Sequence, residues 1–320
     1  MSAMLLSCGD ALIDFLPVAS ADGRPALVPV PGGSCLNVAI GMARLGAPAG
    51  FVGGVSTDLF GRLIAGHAQS SQVDLRYATR SADPTTLAFV SMIDGEPQYA
   101  FYDAETASRH WRYQRDSIPF TEIDAIHVGS TTLINAAGAA QTLAMVEDAR
   151  VSTTISFDPN CRPSLVQNRA AYIRMMNEFA ARADIVRLSD NDFTFLYGGT
   201  DHVDQARHVL AAGSALFVVT RGVHGAAAWH PEAGEVAVEA RPVAVVDTIG
   251  AGDSFQAGLL FALRMIDRLA RSPLVRMTRD ELTRVLTFAA TCAAFTCGRA
   301  GADPPSLAEL GREPMLALAS

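Results

Sequence analysis

Basic charge is what this sequence is short of. Its 33 acidic residues outnumber 25 basic ones, for a formal net charge of −8. That balance argues against a nucleic-acid groove or an anionic membrane surface as the main partner. Cysteine is scarce too: Cys8, Cys35, Cys161, Cys292 and Cys297 are odd in number, scattered, and form no Cys-x-x-Cys pair. They read as free thiols of a reducing compartment, the cytoplasm. Apolar runs are broken by Gly, Pro or charge well before the roughly 18 residues of a membrane span. The opening "MSAMLLSCGDALIDF" has no basic head and brings in Asp10 and Asp14 early, so it reads as a first strand rather than a signal peptide.

Several catalytic signatures are missing as well. There is no G-x-x-x-x-G-K-[ST] phosphate loop, and Gly9 stands alone where a G-x-G-x-x-G dinucleotide turn would follow the first strand. No G-x-S-x-G elbow and no H-E-x-x-H zinc pattern occur. These absences favour phosphoryl transfer over hydride transfer or acyl chemistry.

What is present is a chain of 320 residues, 49% hydrophobic, enough for a sizeable core in one large or two medium domains. Strand-like runs at Met4–Cys8, Gly50–Val52, Ala125–Val128, Thr154–Asp158, Ile185–Leu188 and Leu216–Thr220 alternate with helical stretches. The helical stretches lie near Leu36–Leu45, Leu59–Ser71, Ala137–Ala149, Ala170–Ala181, Asp190–Tyr197 and Val203–Ala212. This rhythm predicts an α/β fold with a largely parallel sheet. Two segments break it, "ALIDFLPV" to "PALVPVPGG" and "TTLAFVSMIDGEPQYAFYDAE", the second with an Asp94-Gly95 turn. No helix separates their strands. They predict a small β-rich lid, the alternative being an antiparallel extension of the sheet edge.

The stretch "VVDTIGAGDSFQAGLLFAL", Val245 to Leu263, carries the chemistry. A β-branched run leads into a glycine turn and then an apolar pattern at helical spacing. Free amides at a helix start, added to the helix dipole, attract phosphate, and Gly250 and Gly252 permit unusual dihedrals and close approach of a ligand. Asp253 beside such an anion hole either caps the helix or accepts a proton from a hydroxyl that attacks phosphorus. A second glycine cluster begins "VPGGSCLNVAIGMARLG". There Gly33 admits a ligand, while Asn37 and the earlier Asp14 suit sugar hydroxyls. Read alone, Asn37 is equally a polar helix-start residue and Asp14 a solvated strand carboxylate.

"DTIGAGDSF" resembles the C-terminal signature of the ribokinase-like sugar kinases, the pfkB carbohydrate kinase family. "GGSCLNVAIGMARLG" with "FVGGVSTDLFG" resembles its N-terminal signature, and "ISFDPNCRPSL", "ADIVRLSDNDFTFLYG" and "FVVTRGVHGAAAW" follow in the family's order. "ALIDFLP", "GEPQYAFY" and "FDPNCRPSL" together look most like the fructokinase branch. The resemblance implies a single ribokinase-like domain over 1–320. It would be a doubly wound, largely parallel sheet flanked by helices, with the lid at roughly 11–36 and 85–107. Asp253 would be the base, and the amides of Gly250, Ala251 and Gly252 the anion hole. Asp14, Gly33, Asn37 and Arg162 would hold the sugar. Thr220, Gly222 and Gly225 would flank ATP, with Ala290 near adenine. Asp192 would order water around Mg²⁺, on a shorter stem than the family's usual Glu, and Asp247 and Ile249 would lie at a potassium site. Fructose is the expected substrate, with 2-keto-3-deoxygluconate and ribose as alternatives, a nucleoside further off, and a homodimer formed through the lid. A catalytically silent binding protein on the same fold would be expected to have lost the base or the glycine turn, and both are intact.

Overall fold

The computed structural model describes residues 3–19, 23–93, 96–199 and 201–319; the expected Asp94-Gly95 turn lies outside them. The strands are β1 (Met4–Cys8), β2 (Leu12–Ala19), β3 (Pro25–Gly32), β4 (Ala49–Ser56), β5 (Ala78–Ser81), β6 (Thr86–Ile93), β7 (Glu96–Tyr102), β8 (Ile123–Gly129), β9 (Thr154–Asp158), β10 (Ile185–Ser189), β11 (Leu216–Thr220), β12 (Ala226–His230) and β13 (Gly234–Val238). One sheet runs β13-β12-β11-β10-β9-β8-β1-β4-β5. It is parallel from β5 to β11, while β12 and β13 return antiparallel at one edge.

Alternation within the strands explains why both faces of this sheet are covered. Leu5 packs into one apolar cluster and Leu6 into the other, and Val218 and Phe217 divide the same way. Side chains of successive strand residues point to opposite faces, so an unbroken apolar strand needs helices on both. One face takes the helices Ser34–Arg44, Ala251–Met265 and Arg279–Cys297. The other takes Ala136–Ala149, Arg169–Ala180, Asp190–Tyr197 and His202–Ala211. None of the helices among the described residues is long and apolar enough to cross a membrane.

The chain order places the site. From β1 the chain moves outward to β4 and β5, then returns to β8 on the other side of β1 and continues to β11. Ligands bind α/β sheets outside the carboxyl ends of the strands, where the winding reverses. Asp10, Ser130, Asp158, Ser189 and Thr220 all lie at or just past such ends.

The two segments that broke the rhythm form their own sheet, β3-β2-β6-β7, and do not extend the large sheet's edge. β2 pairs antiparallel with β3 and parallel with β6. Phe15 stacks on Phe89 at 4.6 Å and meets Phe60 of the core edge-on at 5.5 Å, which seats the small sheet against the helix Leu59–Ser70. Trp111 and Trp229 are buried core residues.

Candidate active site

Most helices here close their first turn with a side chain. Asp58, Asn135, Asn168, Ser189, Asp201 and Thr278 each accept from an amide of the helix they open. The two exceptions among the described helices of two turns or more are Ser34–Arg44 and Ala251–Met265. Both open on a glycine, Gly33 and Gly250, with no side-chain cap. Their first turns meet each other: Ser34 Oγ donates to Asp253 Oδ1 at 2.7 Å, and Asn37 Nδ2 donates to Asp253 Oδ2 at 2.8 Å. Leaving a helix start uncapped forgoes about 1 kcal/mol of stability. At Ser34–Arg44 the amides of Cys35 and Leu36 go instead to Asp10, through its Oδ1 and its carbonyl.

Asp253 is therefore not a helix cap. The cap position belongs to Gly250, and the carboxylate, in a residue only 8% exposed, turns away to Ser34 and Asn37. Burial pushes its pKa above the ordinary carboxylate range. The hydrogen bonds from Ser34 and Asn37 pull it back, the Asp158 charge pushes it up and Arg162 draws it down. A carboxylate made more basic and kept from bulk water suits a general base.

The two glycines of the turn are needed for different reasons. Gly250 adopts the left-handed conformation, φ 75° and ψ 0°, which a side chain would disfavour. Gly252, expected to supply unusual dihedrals as well, has none; that expectation is corrected. A Cβ on Gly252 would lie 3.0 Å from both terminal nitrogens of Arg187, so its glycine makes room for a guanidinium. The Ala251 amide points back to Thr248 O at 3.3 Å and closes the turn.

Arg187, on β10, was within a quoted segment but carried no predicted role. Its side chain is buried, pairs with Asp158 at 2.5 Å, donates to Thr220 Oγ1 at 2.5 Å, and lies over the Phe255 ring. The chain contains no lysine, so every fixed side-chain cation near a phosphate must be a guanidinium. That absence was the signal to follow Arg187.

At the other end Asp14, on β2, faces the same carboxylate cluster, with its Oδ2 lying over Gly32. Burial raises its pKa to about 7, the Asp10 and Asp253 charges add to the rise, and Arg162 opposes it. Asp10 is buried and accepts from the Cys35 amide, Ser130 Oγ and Thr131 Oγ1. Asn37 has one amide hydrogen already on Asp253. Arg162 folds back onto the carbonyls of Asn160 and Cys161 and onto Asn160 Oδ1. Asn160 in turn donates to Ser34 Oγ at 2.6 Å. Ser34, Asn160, Asp158 and Arg187 were missed as site residues, although "GGSCLN", "FDPNCRP" and "DIVRLS" contain them, and so was Asp10 of the opening stretch "MSAMLLSCGDALIDF".

The other predicted residues sit as follows. Thr220 ends β11 beside Arg187. Gly222 opens a short turn with φ 51°, and Gly225 ends it with φ 75°. Ala290 is packed in the apolar core of the helix Arg279–Cys297. Asp192 is buried, with one oxygen taking the Cys161 amide and the other Ser189 Oγ, and it completes a capping box. Asp247 takes the amides of Ile249 at 3.0 Å and Gly301 at 2.9 Å, so it braces the glycine turn against the loop beyond Cys297. Among the described residues no group of three or more His, Cys, Asp or Glu is placed to hold a metal ion.

A carboxylate buried at a glycine-opened helix start, at the carboxyl ends of a doubly wound sheet, is an arrangement suited to phosphoryl transfer. The pfkB family carbohydrate kinase model matches residues 2–309, and this chain belongs to that family. It is an ATP-dependent sugar kinase. It is 34% identical over 279 residues to a fructokinase of Rhizobium leguminosarum bv. trifolii, covering 87% of this chain and 85% of the relative. A fructokinase from Xylella fastidiosa, solved with bound ATP, superimposes with a TM-score of 0.88 at 26% identity over 100% of both chains. A fructokinase from Vibrio cholerae O395, solved with fructose, ADP and calcium, gives 0.80 at 25% identity over 99% of each.

Proposed function

We propose that this chain is an ATP-dependent fructokinase that makes fructose 6-phosphate. The observation that carries the reading is Asp253, buried at an uncapped helix start and held by two hydrogen bonds. Its carboxylate takes the proton of the sugar 6-hydroxyl as that oxygen attacks the γ-phosphorus. The bond from phosphorus to the bridging oxygen breaks, and ADP leaves with the electron pair. Positioning and charge stabilisation account for most of the rate in such transfers. Curated fructokinases at this level of identity, and a related structure that holds fructose and ADP together, support the substrate.

Roles follow from position. The turn Gly250-Ala251-Gly252 receives the transferring phosphoryl group, and Asp14, Gly33, Asn37 and Arg162 grip the sugar. Thr220, Gly222 and Gly225 border the nucleotide, with Ala290 behind the adenine. The small sheet acts as a lid that excludes water. Mg²⁺ arriving with ATP supplies charge neutralisation on the phosphates. Asp192, with both oxygens already accepting hydrogen bonds, meets it through water. Asp247 and the Ile249 carbonyl are the proposed potassium ligands. Exposed Val18, Leu27, Val28 and Tyr102 on the small sheet favour a homodimer through the lid. The cytoplasm fits the five free thiols.

A coupled ADP-release assay over fructose, ribose, 2-keto-3-deoxygluconate, glucose, mannose and adenosine tests the assignment. A specificity constant for fructose at least about tenfold above the rest supports it. Preference for another sugar replaces the substrate, and no turnover of any overturns the reading.

A further inference from the structure

Asp253 is held by more than its two nearest donors. Ser34 Oγ donates to Asp253 Oδ1 at 2.7 Å and accepts from Asn160 Nδ2 at 2.6 Å; the same amide lies 3.4 Å from Asp253 Oδ1. The Asn160 backbone amide is fixed in turn by Asp158 Oδ1 at 2.9 Å, and Asp158 Oδ2 pairs with Arg187, which bonds Thr220. One hydrogen-bonded chain thus runs from Thr220, at the proposed nucleotide end, to the carboxylate at the sugar end. It crosses β11, β10, β9 and the first turn of the helix Ser34–Arg44.

Asn160 itself sits at φ 41°, a left-handed conformation uncommon for a residue with a side chain. Such a conformation persists where surrounding contacts over-determine it. Here they do: the amide hydrogen is on Asp158, the side-chain nitrogen on Ser34, and the side-chain oxygen on Arg162. Ser34 occupies the first helical position after Gly33, where its hydroxyl caps nothing. The left-handed backbone suits an Asn at 160, but no local backbone need explains the Ser34 side chain.

We infer that Ser34 and Asn160 are positioning residues that aim the Asp253 carboxylate and set its acidity for proton abstraction. Asn160, donating into Ser34 Oγ, orients the hydroxyl so that its single proton faces Oδ1. A donor on the charged form of a carboxylate favours that form. The donor works against burial and against nearby negative charge. Asp158 on β9 raises the Asp253 pKa, whereas Arg162 offsets it; the charges of Asp10 and Asp253 in turn raise the pKa of Asp14 on β2. Asn37 on the facing helix supplies the remaining donor. Without Ser34 the base remains in place but holds its proton to higher pH.

This inference rests on Asp253 being the base, and the test separates the two. Ser34→Ala suits a helix interior, and Asn160→Gly tolerates the left-handed backbone, so both variants keep the fold. The carboxyl carbon-13 resonance of Asp253, identified by its loss in Asp253→Asn, is followed against pH without any substrate. The kcat profile for fructose is measured alongside. A charge-assisted hydrogen bond corresponds to about one pH unit or more. The expected result is that Ser34→Ala moves both the titration and the acid limb of kcat upward by about that much, with kcat recovering at high pH. Asn160→Gly is expected to give a smaller upward shift that disappears in the Ser34→Ala background. An unmoved titration in Ser34→Ala, or a kcat loss equal at every pH, overturns the inference. A shifted titration in an enzyme that turns over no sugar upholds it and overturns the kinase reading instead.

Discussion

Replacing Asp253 by Asn should inactivate the enzyme and stabilise it at once. Asn keeps the shape of the carboxylate, so Ser34 still donates to the side-chain oxygen. The new amide nitrogen faces Asn37 Nδ2, now 2.8 Å from Asp253 Oδ2, and two donors meet unless the Asn37 amide turns over to present its oxygen. The packing survives, but the proton acceptor is lost. General-base catalysis contributes about 10²–10⁴-fold, or roughly 3–5 kcal/mol of barrier, so kcat should fall by at least about 100-fold. The sign on stability is opposite. The folded-state pKa of Asp253 lies above its unfolded value, mainly through burial. The native state then binds the proton more tightly than the unfolded chain, and the ionised group weakens the fold. That penalty is absent below the unfolded pKa, grows as pH rises through the shifted value, and is complete above it. A tenfold change in the acidity of one group is worth about 1.4 kcal/mol, or roughly 3–6 °C in Tm for a chain somewhat smaller than this one. Melting curves of both proteins at pH 5 and pH 8, with kcat on fructose, check this. Asp253→Asn should melt higher than wild type at pH 8, with the gap narrowing at pH 5. A variant keeping kcat within tenfold, or melting below wild type at pH 8, would refute the reasoning.

Gly252→Ala puts a methyl 3.0 Å from both terminal nitrogens of Arg187, a guanidinium that Asp158 and Thr220 prevent from withdrawing. Overpacking of this kind costs about 1–3 kcal/mol, visible as a lower Tm together with a reduced kcat; unchanged values for both would disprove the contact. Arg187→Met leaves the Asp158 charge buried without its partner, a loss of roughly 3–5 kcal/mol, and adding Asp158→Asn should recover part of it in a denaturant titration. Asp14, with its pKa raised to about 7, is largely protonated at pH 6 and ionised at pH 8. As an ionised acceptor it binds sugar hydroxyls better, so KM for fructose should fall as pH rises through 7, and the Asp14→Asn variant should lose that dependence. Its sign on stability matches that of Asp253: ionisation above pH 7 weakens the fold, and Asp14→Asn should melt higher than wild type at pH 8.

Much of this molecule was legible from local pattern. The alternation of β-branched runs with helical spacing anticipated β1, β8, β9, β10 and β11 and the helices between them, because side-chain period is a property of the backbone alone. Two helix-free segments anticipated the separate sheet β3-β2-β6-β7 for the same reason. The glycine turn identified Asp253, since a left-handed residue before a helix is a local requirement. Whether Asp253 caps its helix or faces a partner was not local, and neither was the reason for Gly252. Both turn on contacts such as Ser34 with Asp253, 219 residues apart, and Asn160 with Ser34, 126 apart. Nothing in the pattern around residue 34 states that residue 253 will be its neighbour. The sheet order brings them together at its carboxyl edge, and only there does burial raise the carboxylate pKa values, while Arg187 takes the space that a side chain on Gly252 would need. Local sequence therefore determined the elements and singled out Asp253. Tertiary packing decided what holds that carboxylate, because desolvation and hydrogen-bond partners exist only once distant segments have met.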